Sequence, residues 1–141
     1  MSKPKYSIIP KPQKYTVTDG TYTVTQDTDD LCIPEFIKAG KYLSSFLKTK
    51  TDANNGAIKF NKDASLKSEA YKLKVATDGI TVLASDENGA FYGAVTLRIM
   101  LMQAKRSNGV AMLNCCDIYD YPKFAYRGGM MDEARHFFGI D

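Results

Sequence analysis

The chemistry this sequence offers is concentrated in its last sixteen residues, YRGGMMDEARHFFGID, where Arg127, Asp132, Arg135 and His136 fall close together. A guanidinium is a planar, permanently charged fork of donors, suited to holding hydroxyls or carboxylates. If the segment is a strand, alternation puts Arg127, Gly129 and Met131 on one face and Gly128, Met130 and Asp132 on the other. The missing side chain at Gly129 would then leave space beside Arg127. Taken alone, Arg127 fits a structural salt bridge more readily than a ligand contact, because most paired arginines are structural. His136 is the only histidine of the chain. Beside Phe137 and Phe138, with no nucleophile or ligand partner, it fits a packed structural role better than a catalytic one.

Other chemistries find little support. Cys32 stands alone and Cys115 and Cys116 are adjacent, so there is neither a CxxC pair for a metal or redox site nor an even set for a disulfide framework. On a strand the adjacent pair would point to opposite faces, with one of the two buried as a small hydrophobe. The glycine spacing gives no G-x-G-x-x-G after a strand and no phosphate loop ending in Lys-Ser/Thr. No cofactor or metal is therefore expected. The formal charge of +3 comes from lysines scattered among acids, with no run that would track a nucleic-acid backbone. No segment approaches the ~20 apolar residues of a membrane span, and MSKPKYSIIPKPQKY lacks the apolar run of a signal peptide. A start at Met-Ser-Lys is equally compatible with a leader already removed.

The elements that must carry these residues follow from periodicity. At 141 residues, 44% apolar and 25% charged, the chain suits one globular domain. Pro10 and Pro12 keep the first segment extended before a strand at Thr21–Thr25. Pro34 opens a helix in which Phe36, Ala39, Gly40, Leu43, Phe46 and Leu47 recur at helical spacing. Asn54-Asn55-Gly56 makes a turn and AIKFN a short strand. YKLKVAT and ITVLAS then flank Asp78-Gly79, a dipeptide that supplies positive φ to a two-residue hairpin turn. Tyr71, Leu73 and Val75 share one face, as do Ile80, Val82 and Ala84. Asp86 and Asn88 can cap a second helix, GAFYGAVTLRIMLMQAK, whose stripe of Ala90, Ala94, Leu97 and Leu101 is widened by Phe91, Val95 and Met102. Met100 and Met102 are expected in the core. Asn108-Gly109 closes that segment, AMLNCCDIYD gives a last strand, and Pro122 breaks out of it. The sum is an α+β layer: a mostly antiparallel sheet with two helices packed on one face.

The stretch ITVLASDENGAFYGAVTLRIMLMQ followed by DIYDYPKFAYRGGMMDEARHFF resembles the end of the small N-terminal domain and the first barrel strand of glycoside hydrolase family 20, the beta-N-acetylhexosaminidases. The likeness extends back through EAYKLKV and IIPKP, so it covers most of the chain. It implies that residues 1–118 form the N-terminal domain and that 119–141 are a linker and the truncated start of a catalytic barrel. Tyr126 to Asp132 would be an orphan first strand of a (β/α)8 barrel, a fold that needs about 250 residues. The sequence would then be a piece of a longer enzyme.

The resemblance further implies removal of terminal N-acetylhexosamines from a glycan or glycoconjugate, with retention. The substrate's acetamido oxygen is the nucleophile, and an adjacent Asp-Glu pair supplies the acid and the group that orients the acetamide. Neither Asp86-Glu87, before the second helix, nor Asp132-Glu133, closing the strand, fits that pair, so no catalytic residue is expected here. Arg127 matches the family's sugar-binding arginine. Asp132, Arg135 and His136 match the motif as residues that hold the first loop by hydrogen bonds. Gly129, Glu133 and Gly139 depart from the usual pattern and weaken any claim on substrate preference. The barrel is expected to pack on this domain through an apolar patch, and the parent to be exported or periplasmic. Two alternatives stand beside this reading: an accessory domain of an O-GlcNAc hydrolase or alpha-glucuronidase type of enzyme, or a free-standing carbohydrate- or partner-binding module using Tyr42, Tyr71 or Tyr92 as platforms.

Overall fold

The structure, a computed structural model, describes residues 5–25, 28–51, 56–108 and 110–123. Its strands are β1 (Lys14–Val24), β2 (Asp30–Cys32), β3 (Ile58–Lys62), β4 (Tyr71–Ala76), β5 (Gly79–Ala84), β6 (Lys105–Ser107) and β7 (Val110–Asp120). Its helices are α1 (Ile37–Leu47) and α2 (Glu87–Gln103). The strands form one sheet in the order β1-β7-β4-β5-β3-β2, with β6 also paired to β7. Pairings β1·β7, β4·β7, β4·β5 and β6·β7 are antiparallel, whereas β3 runs parallel to both β5 and β2. The class is therefore α+β with a mixed sheet. The expected barrel strand, Tyr126 to Asp132, lies outside the described residues.

Alternation in β4 and β5 decides which sheet face is dry. Tyr71, Leu73 and Val75 are buried with Ile80, Val82 and Ala84, while Lys72 and Lys74 are exposed. The α2 helix lies on this face at van der Waals distance: a Cβ at Gly93 would stand 2.6 Å from Val82 Cγ1. Ala90, Ala94, Leu97, Met100 and Leu101 fill the layer beneath α2, and Phe36, Ala39 and Leu43 join the same core from the first helical segment. A 3-10 turn, Pro34–Phe36, precedes α1, with proline where a first turn tolerates a missing N–H. α1 ends at Lys48, whose left-handed φ of 59° turns its N–H onto the Ser44 carbonyl.

Several expectations need correcting. In the hairpin, Ala76 pairs with Gly79, so the loop is Thr77-Asp78. Positive φ among the described residues occurs at Gly20, Lys48, Glu69 and Asn108, and not at Asp78 or Gly79. Gly79 is required for a different reason: a Cβ there would lie 2.8 Å from the Ala57 carbonyl oxygen, which accepts from Ile80 N. The second helix stops at Gln103, and Lys105–Ser107 turn back through Asn108 as a strand on β7. Met102 is 62% exposed rather than core, although Met100 is fully buried. Both Cys115 and Cys116 are buried, not one. Cys116 faces Val17 and Val75 in register. Cys115 lies under an irregularity of β1 at which Gly20 takes φ 104° and a Cβ would come 3.4 Å from its sulfur. Burial pushes the Cys116 thiol up to about 12, which makes it an inert packing residue. Of the Asn54-Asn55-Gly56 turn, both asparagines lie outside the described residues.

The start of α2 is fixed by Asp86. Its Oδ1 accepts from Gly89 N at 2.8 Å, and its Oδ2 accepts from Glu69 N at 2.8 Å and Ser68 Oγ at 2.9 Å. Burial alone would raise this carboxyl, but those three donors hold it below its ordinary 3.8. A depressed carboxyl contributes stability above its unfolded-state value and loses it as pH falls through the folded-state value. Asp86→Ala should cost about 2 kcal/mol at neutral pH, the upper range for losing an N-cap. The difference from wild type should shrink below pH 3.8, which urea titrations on the two sides of that value would read.

Candidate functional site

The four residues singled out from sequence, Arg127, Asp132, Arg135 and His136, all lie outside the described residues. What the described part holds is the surface from which that segment departs. The extended segment before β1 is tied across the end of the fold. Ser7 N donates to Gln103 Oε1 at 2.8 Å, and Gln103 Nε2 donates to Ser7 O at 2.6 Å. Further along, Gln13 N donates to Asp120 Oδ1 at 3.2 Å and Gln13 Nε2 to the Tyr121 carbonyl at 3.4 Å. Between this segment and α2 runs a groove of about 610 Å³ that also takes in Tyr121, Pro122 and Lys123. Ile8, Ile9 and Pro10 form one wall, and Tyr92, Val95 and Ile99 of α2 the other.

Spacing explains that second wall. Tyr92, Val95 and Ile99 follow i, i+3, i+7 and occupy a flank of α2 turned away from the Leu97 and Met100 stripe. Phe91, Val95 and Met102 continue the apolar surface around the outside, so α2 is apolar on nearly every side. The sequence assigned those three to the core stripe, but Phe91 and Val95 are only partly buried and Met102 is exposed. Ile9, at 82% exposure, and Tyr92 add to the uncovered apolar surface. A helix apolar all round is normally buried all round. Here the sheet covers one side only. That surface is the candidate feature that periodicity alone missed, and its signal was present as a helix with too many apolar positions for one stripe.

Tyr71, Thr96, Gln13 and Asp120 of the groove are committed to structure. Tyr71 is buried, with its hydroxyl 2.5 Å from Thr96 Oγ1, and burial raises its phenol well above 10. It offers no stacking platform for a sugar, whereas Tyr42 and Tyr92 are only partly covered. Asp120 Oδ1 also accepts from Tyr121 N at 2.9 Å. Burial pushes the Asp120 carboxyl above its ordinary value, and the backbone N–H groups of Gln13 and Tyr121 offset this in part. An acid raised by folding favours the native state most below its unfolded-state value and loses that contribution as pH rises through the folded-state value. Asp120→Asn keeps an oxygen acceptor and removes the buried charge. Its melting temperature should therefore exceed that of wild type at neutral pH, and the gap should close below the ordinary 3.8.

Neither Asp-Glu dipeptide presents a free acid pair in the described fold. Asp86 is consumed by the α2 cap, Glu87 lies 3.6 Å from Lys38 Nζ, and Asp132-Glu133 lies outside the described residues. Among the described residues no cluster of His, Cys, Asp and Glu could hold a metal ion.

Known proteins share this fold. The model of Glycosyl hydrolase family 20, domain 2 matches residues 5–121. A beta-hexosaminidase of Porphyromonas gingivalis is 29% identical over 96% of this chain and 20% of its own length. One of Vibrio vulnificus is 30% identical over 92% of this chain and 15% of its own. Among solved structures, a GH20 exo beta-N-acetylglucosaminidase from Vibrio harveyi, in complex with N-acetylglucosamine, superposes with a TM-score of 0.82. It is 29% identical and covers 99% of this chain and 23% of its own. A Streptomyces plicatus N-acetyl-beta-hexosaminidase in complex with Thio-NAglucal gives a TM-score of 0.78 at 27% identity, over 94% of this chain and 29% of its own. The chain thus spans 20% and 15% of the length of these two curated relatives. On the match over residues 5–121, the chain belongs to glycoside hydrolase family 20 and contains that family's domain 2.

Proposed function

We propose that this chain is the non-catalytic N-terminal domain of a beta-N-acetylhexosaminidase, an enzyme that hydrolyses terminal N-acetylhexosamine residues of glycans or glycoconjugates. Residues 1–118 are the domain, and 119–141 are the linker and the beginning of a catalytic barrel. The family match ending at residue 121 and the last strand ending at Asp120 favour moving that boundary two or three residues on, because Tyr119 and Asp120 still pair in the sheet. Catalysis is substrate-assisted and retaining. The acetamido oxygen attacks the anomeric carbon while a Glu of the barrel protonates the leaving oxygen, and a neighbouring Asp orients the acetamide. Arg127 holds sugar hydroxyls, and Asp132, Arg135 and His136 hold the loop that follows it.

The observation that carries this reading is the outward face of α2. Tyr92, Val95, Ile99 and Met102 present more apolar surface than a single sheet can cover, next to the point where the chain leaves the domain. Exposed contiguous apolar surface of this kind marks an interface. In this reading the catalytic barrel that follows covers this face, and the domain acts as its buttress.

The test is to express the 141-residue chain and the longer polypeptide encoded with it, and to assay both on an aryl N-acetyl-beta-glucosaminide. The longer polypeptide should turn over the substrate and the chain alone should not. Turnover by the chain alone would overturn the proposal, as would a reading frame that contains no Asp-Glu pair after residue 141.

A further inference from the structure

The other flank of α2 carries a second hollow, also of about 610 Å³, and Arg98 of the Thr96-Leu97-Arg98 run stands in it. Here α1 and α2 meet through Tyr42 and Phe91, whose ring centroids are 4.8 Å apart. The Arg98 guanidinium lies 5.6 Å from the Tyr42 ring centre and 5.0 Å from that of Phe46. Its Nη1 donates to Tyr42 Oη at 3.0 Å, while Nε is buried without a hydrogen-bond partner. No acid among the described residues pairs with it: the two salt bridges there join Lys38 to Glu87 and Lys62 to Glu35. Lys38 and Lys41 stand on the rim of the same hollow.

A guanidinium held against two rings has already lost much of its rotamer freedom and part of its hydration. The cost of that desolvation is recovered when an anion meets the free edge of the fork. Preorganisation of this kind favours a carboxylate, which the fork can take through two parallel hydrogen bonds. Two lysines on the rim add a positive field and leave Glu87 as their one neighbouring ion-pair partner among the described residues.

We propose that Arg98 is the docking anchor for an Asp or Glu side chain carried by the same polypeptide beyond residue 141. This rests on the reading that a barrel covers the helical layer, and it adds the chemistry of the contact. Charge complementarity argues for the occupant, and so does continuity: this hollow and the groove lined by Tyr92, Val95 and Ile99 lie on adjoining flanks of the same helix, so one covering body can reach both.

The experiment uses the longer polypeptide. Zero-length carbodiimide coupling and peptide mass spectrometry would identify which carboxylates the rim lysines touch. The expected result is a link from Lys38 or Lys41 to an acid beyond residue 141, lost in Arg98→Met, while the internal Lys38–Glu87 link persists in both. Finding only links within residues 1–141, or an external link indifferent to Arg98→Met, overturns the anchor. Hydroxyl-radical oxidation of Met102 separates this failure from that of the parent reading. Protection of Met102 in the longer polypeptide relative to the 141-residue chain leaves the covering barrel standing, and equal oxidation removes both. Saturable binding of an acidic oligosaccharide to the 141-residue chain, abolished by Arg98→Met, would make the hollow a site for anionic glycans and overturn the protein carboxylate as its occupant.

Discussion

Gly89→Ala should lower the unfolding free energy by about 3 kcal/mol, the top of the ordinary range for overpacking. A Cβ at this position would lie 2.2 Å from the Ala70 carbonyl oxygen and 3.1 Å from its carbon. The obstacle is backbone, held on both sides: Ala70 leads into β4, and Glu69, with φ 61°, is tied through its N–H to Asp86. Gly89 itself donates its N–H to Asp86, so neither partner can retreat without breaking the cap. Opposing this, alanine gains about 1 kcal/mol over glycine as a helix former, which is too little to reverse the sign. Gly93→Ala is the control. Its Cβ would meet Val82 Cγ1 at 2.6 Å, a side-chain methyl rather than backbone, so about 1 kcal/mol is expected, at the low end of overpacking. Urea titration of the two variants would read the difference, and a neutral or stabilising Gly89→Ala would show that the helix does not start pressed against residues 69 and 70.

The same junction shows what a sequence can disclose. Alternation in YKLKVA and ITVLA is strong because one face is fully buried while the other carries Lys72 and Lys74 on β4 and the partly buried Thr81 and Leu83 on β5, so β4, β5 and their pairing are readable locally. Asp86 is readable as a cap because the capping geometry is local too. β2 and β6 are not readable. Each has three residues, and Lys105–Ser107 is exposed throughout, so the reason to be a strand lies in the edge that β7 offers. Pairing of β3 with β5 rather than with its sequence neighbour β4 is equally hidden, because it depends on β7 already occupying the other edge of β4. A glycine after Asp78 suggests a positive-φ turn, but its need comes from Ala57, more than twenty residues away in sequence.

The candidate surface was half legible. Apolar residues at every helical angle of α2 can be counted from the sequence, but periodicity cannot decide which of them meet the sheet. That choice is made by Gly89 and Gly93, whose missing side chains bring one side of the helix onto Ala70, Tyr71 and Val82. Once that side is fixed, Val95 and Met102 must face outward and Phe91 meets Tyr42 of α1. Arg98 lies inside the family-like stretch ITVLASDENGAFYGAVTLRIMLMQ with nothing local to single it out, and its setting beside Tyr42 and Phe46 required α1 to be in place.

In the longer polypeptide, Arg127→Met should reduce kcat/KM on an N-acetylhexosaminide by about 10³-fold, comparable to removing one strong donor from a transition-state site. Two roles for this arginine predict opposite patterns. A guanidinium that holds sugar hydroxyls loses its donors on substitution and leaves them unpaired in a dry pocket, so catalysis collapses while the melting temperature moves little. A guanidinium that seals a barrel floor through a buried salt bridge leaves an orphaned carboxylate behind, so stability falls by about 3 kcal/mol or more while folded enzyme keeps its kcat/KM. Arg127→Lys sharpens the distinction, because lysine keeps the charge but not the planar fork. If the fork grips hydroxyls, lysine rescues little activity; if only charge balance matters, it restores most of the stability. Measured together, kcat/KM and melting temperature for the two variants assign Arg127 to the sugar or to the barrel floor, and full activity in Arg127→Met would remove it from the substrate site.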